Sequence, residues 1–138
     1  MKLTLLVASA ASMLSLTVAD NCYVQIQQQF DGGIGSSASP IEGEVKRGDC
    51  PMDVNTPNTD NCREIGAFTP NSGGPSVVTS ELPYTVIVHV TGGTNGFNDG
   101  YGDYADQHFD FHSDYCKFSQ SSGFAANLNL LVCKFQCP

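Results

Sequence analysis

The chain has 138 residues, with 14 Asp and Glu against 6 Lys and Arg and a formal net charge of −8. That balance argues against capture of nucleic acid, whose phosphates need clustered Lys and Arg, and against adsorption to anionic lipid. An acidic surface keeps an extracellular protein soluble and can recruit a basic partner.

Residues 1–19 read as a secretion leader. Lys2 supplies a positive charge, an Ala- and Leu-rich apolar stretch runs to Leu16, and Thr17-Val18-Ala19 offers compact residues for cleavage. Asp20 is then the expected first mature residue, and 20–138 forms one secreted domain. No later segment approaches the ~20 apolar residues of a membrane span. All six cysteines, Cys22, Cys50, Cys62, Cys116, Cys133 and Cys137, lie downstream of the leader. Export to an oxidising medium therefore predicts complete pairing into disulfides. Cys50 and Cys62 flank a polar, proline-containing stretch and are expected to close it. Cys22 is expected to bond Cys133 or Cys137 and tie the terminal strands. Cys133 and Cys137 lie too far apart along an extended strand to bond each other.

Strand patterning dominates the rest. Cys22 to Phe30 alternates, with Val24, Ile26 and Phe30 on one face and glutamines largely on the other. Ile41 to Lys46 and Val77 to Thr79 are shorter candidates. Cys50 to Pro75 is rich in proline and asparagine and predicts irregular chain, with one helical turn at Asn61 to Gly66. Tyr84 to Val90 is a dense β-branched run, the best candidate for a central strand. Gln107 to His112 alternates, and Leu128 to Phe135 closes the chain as a strand. The expected fold class is mostly β, a small disulfide-stapled sandwich or barrel with long loops. The alternative is α+β with one short helix at Asn61 to Phe68 or Gly123 to Leu131.

Asn95 to Tyr104 predicts an exposed glycine-bent loop between two strong strands. Phe97, Tyr101 and Tyr104 offer flat apolar rings with polar tips, and Asp99 and Asp103 add charge, the composition of a recognition loop. Asp99, Asp103 and Asp106 also supply hard oxygens of the kind calcium takes, without the EF-hand spacing. In His108-x-Asp110-x-His112-x-Asp114, period two places all four polar groups on one strand face, with Phe109 and Phe111 on the other. Two His and two Asp are zinc-type ligands, but same-face neighbours stand roughly 6.6 Å apart, so further strands would have to contribute. The plain expectation is an amphipathic strand with both phenylalanines in the core and no bound metal. No cofactor is called for.

His89, in Val86-Ile87-Val88-His89-Val90-Thr91-Gly92-Gly93, resembles over about a dozen residues the histidine strand of small secreted fungal guanyl-specific ribonucleases. That resemblance implies a general acid at His89, a base at Glu64 or Glu81, and a phosphate clamp at Arg63 or Arg47. The chain departs from that family in two ways: about fifty residues follow the histidine, and no basic residue lies in Pro75 to Leu82. No other hydrolase or nucleotide signature is present.

In overall plan the chain resembles the small secreted cysteine-containing proteins of filamentous fungi, many of which act as effectors. What this implies is a non-enzymatic secreted module binding a host or partner protein. The alternative is a secreted ribonuclease-like hydrolase using His89, Glu64 and Arg63.

Overall fold

Alternation along Asp20–Asp31 produces the long strand β1, whose Cys22, Val24 and Ile26 are completely buried on one face. In this computed structural model the described residues are 19–31, 38–71, 73–91, 99–122 and 126–138. They form eight further strands and no helix: β2 (Glu42–Arg47), β3 (Arg63–Phe68), β4 (Ser76–Val78), β5 (Val86–Val90), β6 (Gly100–Tyr104), β7 (Gln107–Asp110), β8 (Cys116–Ser122) and β9 (Ala126–Cys137).

The strands make two antiparallel sheets, ordered β3-β2-β1-β9-β8 and β4-β5-β6-β7. The second, called sheet B below, packs on the five-stranded sheet A as a β sandwich. β1 and β9 pair along their whole lengths, from Asp20 opposite Cys137 to Asp31 opposite Ala126. Between the sheets lie Val24, Ile26, Val45, Leu131 and Phe135 from sheet A and Val78, Val86, Val88, Tyr104 and Phe109 from sheet B. Each such aliphatic side chain stabilises the fold by about 1.5–3 kcal/mol relative to exposure.

Three disulfides staple the sandwich: Cys22–Cys137, Cys50–Cys62 and Cys116–Cys133. The expected Cys50–Cys62 closure is present, and Cys22 takes the later of its two expected partners. Three bridges in so small a domain are compatible with an extracellular location.

Part of the outer side of sheet A is covered as well. The stretch between β2 and β3 folds over its outer side, where Cys50, Met52, Val54 and Cys62 pack on Tyr23, Leu130 and Val132. Val54 N–H donates to Ser119 Oγ at 3.1 Å, and Lys117 reaches Asp53 at 3.7 Å. Asp53 also accepts from the Thr56 hydroxyl and from the Asn55 and Thr56 amides, which hold its carboxyl below the ordinary range.

Three expectations are corrected. Residues 61–66 do not make a helical turn; β3 occupies 63–68 because Ile65 drops into the core at a β-bulge opposite Val45/Lys46. The alternative helix at 123–131 is excluded from Ala126 onward, where the chain is β9, paired on both sides by β1 and β8. Of the loop expected over 95–104, residues 95–98 lie outside the described residues and 100–104 are not loop. From Gly100 the chain is β6, an internal strand of sheet B.

Candidate functional site

Strand register decides which side chains share the outer face of sheet B. Val88 on β5, Gly102 on β6 and Phe109 on β7 stand in one cross-strand row facing the core. The rows on either side of it therefore point outward. One outward row is Val77, Ile87, Asp103 and His108; the other is His89, Tyr101 and Asp110. At the end of the sheet His112 Nε2 lies 3.6 Å from Asp99 Oδ1. The chain has three histidines, and all three stand on this side.

The rings form a connected series. His89 meets Tyr101 edge-on at 5.2 Å between centroids, and Tyr101 lies 5.4 Å from His108 at a 34° tilt. His108 Nδ1 sits 2.6 Å from Asp103 Oδ1 across the β6–β7 pair. Asp110 turns back to accept the His112 amide at 2.8 Å, which bends the chain after β7. His89, Tyr101, Ile87 and Asp103 are half-buried, whereas His108, Asp110 and Val77 are exposed. Among the described residues no element covers this face as the β2–β3 stretch covers sheet A.

Charge is segregated between the sheets. No Lys or Arg occurs between Arg63 and Lys117, a stretch that contains every strand of sheet B and seven carboxylates, Glu64, Glu81, Asp99, Asp103, Asp106, Asp110 and Asp114. Lys46, Arg47, Arg63, Lys117 and Lys134 all belong to sheet A strands. Four of them are engaged with carboxylates: Lys46 with Glu44, Arg47 with Asp20, Arg63 with Glu81 and Lys117 with Asp53. Arg47 holds the Asp20 carboxyl below its ordinary range and also donates to the Pro138 carbonyl.

The expected binding residues divide. Tyr101, Asp99 and Asp103 lie on the outer face of sheet B. Tyr104 does not; it is 2% exposed, its ring 4.9 Å from Phe135 in the core and 5.9 Å from the exposed Tyr84. Burial pushes its hydroxyl up, and the nearby Tyr84 amide offsets this only in part without reaching hydrogen-bond geometry. The expected placement of Tyr104 on a recognition loop is thus corrected. Phe97 lies outside the described residues.

The metal-type pattern is not assembled. Strand geometry ends at Asp110, so His108, Asp110, His112 and Asp114 do not continue along one straight face. His108 and His112 instead approach different aspartates, Asp103 and Asp99. Phe109 and Phe111 are buried, as the plain amphipathic reading expects. Asp99 and Asp103 are four residues apart along extended chain, about 13 Å, too far to share one calcium ion. Among the described residues no three His, Cys, Asp or Glu side chains are grouped to hold a metal.

The ribonuclease constellation is dispersed. His89 faces outward from sheet B, while Glu64 is the register partner of Lys46, whose ammonium bonds Gln25 on the outer side of sheet A. Arg63 and Glu81 are committed to each other at 2.8 Å. The three groups named for acid, base and clamp therefore share no cleft.

A cavity of about 570 Å³ opens beside His108, between β7 and β9. Phe109 and Phe135 stack beneath it at 5.6 Å, yet both are almost fully buried, and Tyr115 is its exposed ring. One end is closed by Gln107, which donates to the Gln136 carbonyl at 2.7 Å and accepts the Gln136 amide at 2.8 Å.

No protein-family model matches this chain, and neither a curated protein nor a solved structure shows significant similarity to it. The outward grouping of His89, His108 and His112 is not legible in the sequence, because β6, the strand that brings them together, has the composition of a loop.

Proposed function

We propose that the protein is exported, oxidised outside the cell, and works without catalysis as a module that docks a partner protein, in the manner of a secreted effector. The leader-like composition of 1–19 and the pairing of all six cysteines support export. The observation that carries the docking reading is the asymmetry of the sandwich. The β2–β3 stretch packs over part of the outer side of sheet A, whereas among the described residues nothing covers Val77, Ile87, His89, Tyr101 and His108 on the outer face of sheet B. Tyrosine and histidine rings with apolar neighbours and a polar rim have the composition of recognition surfaces. The separation of His89, Glu64 and Arg63 favours binding over hydrolysis.

Crosslinking the oxidised, secreted protein to extracellular proteins of the target tissue tests this reading. Tyr101→Ala combined with Ile87→Asp should abolish the specific adduct, while Glu42→Gln on sheet A should leave it intact. Equal adduct from both variants would overturn the assignment of the face.

A further inference from the structure

We infer that the occupant of this face is a basic segment of the partner, with arginine or lysine side chains seated on the Tyr101 and His108 rings beside Asp99, Asp103 and Asp110, and that acid loosens it. The inference rests on the docking reading and adds the partner's chemistry and its regulation. Charge complementarity carries it. The face belongs to a sheet whose strands hold no Lys or Arg, and the chain's cations are gathered on the other sheet. An incoming cation therefore meets no Lys or Arg from β4, β5, β6 or β7; Lys134 of β9, which lines the cavity beside His108, borders the face at that one end.

The ring series adds specificity. A guanidinium is planar, stacks on aromatic faces and forks onto carboxylates, and Tyr101 and His108 lie between Asp103 on one row and Asp110 on the other. Such contacts at a half-exposed site are weak singly and useful in sum.

Acid works against them. Histidine changes charge between about pH 5 and 8. The groups facing the imidazoles are Tyr101 for His89, Asp103 and Tyr101 for His108, with Tyr115 and Lys134 of β9 lining the cavity beside it, and Asp99 for His112. With neutral imidazoles the three aspartates give the face three negative charges, and three imidazolium ions would cancel them. A charged His108 also tightens on Asp103 and withdraws that carboxylate from a competing cation.

The test is titration of the full secreted protein with a short Arg-Gly repeat peptide, its neutral citrulline counterpart serving as the shape control. The arginine peptide should bind saturably, and the citrulline peptide about tenfold more weakly or worse. Asp103→Asn with Asp110→Asn should lower affinity by about tenfold, with Glu42→Gln unchanged. Affinity should fall from about pH 7.5 to about pH 5.5, and His89→Gln, His108→Gln and His112→Gln together should remove that fall. Equal binding of both peptides, or an unaffected Asn variant, would overturn the basic occupant. If the natural partner is then still lost on Tyr101→Ala, the docking face stands and only its occupant was misread. A pH-independent affinity would overturn the acid release.

Discussion

The ring of Phe109 lies directly over Gly102, its register partner on β6. A methyl group built on Gly102 would meet ring carbons of Phe109 at 2.1 and 2.2 Å. The glycine is there for space: it lets the ring lie flat on the strand and stack against Phe135. Gly43 stands in the same relation to Phe68, its partner on β3. Because both atoms in the clash belong to a well-packed core, Gly102→Ala should destabilise the protein by about 1–3 kcal/mol. Urea unfolding measures it; an unchanged midpoint would show that Phe109 can move aside.

That relationship explains what the sequence showed and concealed. β1, β5 and β9 were legible because alternating or β-branched apolar residues mark them without reference to a partner. β6, with the sequence Gly-Tyr-Gly-Asp-Tyr, carries turn-forming residues at the positions that a strand normally fills with side chains. Its apolar surface is lent by Phe109 and Phe111 from across the sheet, information that no local window contains. β8 was hidden for a related reason. It is an edge strand whose polar Lys-Phe-Ser-Gln-Ser-Ser run pairs with β9, the two strands being linked also by Cys116–Cys133.

The β6–β7 hairpin closes through Ala105 and Asp106, between the paired Tyr104 and Gln107. Ala105 has φ of 54°, the left-handed region that an L side chain enters at a cost. Glycine enters it freely, although it loses more entropy on folding. Ala105 is exposed, so no packing is lost on its removal. Ala105→Gly should therefore raise stability by about 0.5–1 kcal/mol, read as a higher Tm by calorimetry. A lower Tm would mean that chain entropy outweighs the relief.

The disulfides should differ in weight. Cys22–Cys137 spans 115 residues of sequence and Cys116–Cys133 spans 17. Loop-closure entropy grows with the logarithm of that span, giving about 1.7 kcal/mol more from the longer bridge. Replacing Cys22 and Cys137 by Ala should thus cost more than replacing Cys116 and Cys133, although all four sulfur atoms border the same core. Paired denaturant curves of the two double variants check the order. A reversed order would assign the shorter bridge a local role, fastening β8 to the sheet.

Of the candidate site, individual residues were visible and their arrangement was not. Tyr101, Asp99, Asp103 and the histidines all drew notice by type. Placing His89 in one row with Tyr101 and Asp110 needs the register of three strands, one of them unmarked. Tyr104 shows the converse error, since its neighbours in sequence are polar while its neighbours in space are Phe135 and Tyr84.

Tyr104 also sets an expected response to pH. Its hydroxyl is buried with no hydrogen-bond partner among the described residues, and burial raises its pKa above the ordinary tyrosine value, as it does for Tyr23. A raised folded pKa means that the folded state keeps the proton while the unfolded chain loses it. The contribution to stability is therefore complete below about pH 10, the unfolded value, and is lost as pH rises through the folded pKa. On the acid side the signs reverse. The lowered carboxyls of Asp20 and Asp53 support the fold above the unfolded carboxylate range and stop doing so as pH falls through their folded values. Tyr104→Phe removes the orphan hydroxyl without changing the ring, so at neutral pH it should be neutral or stabilising by up to about 1 kcal/mol. In alkali it should delay unfolding relative to the parent, followed by tyrosinate absorbance and circular dichroism together. If the variant is less stable at neutral pH, the hydroxyl has a partner in solution and its burial is not the cause of the shift.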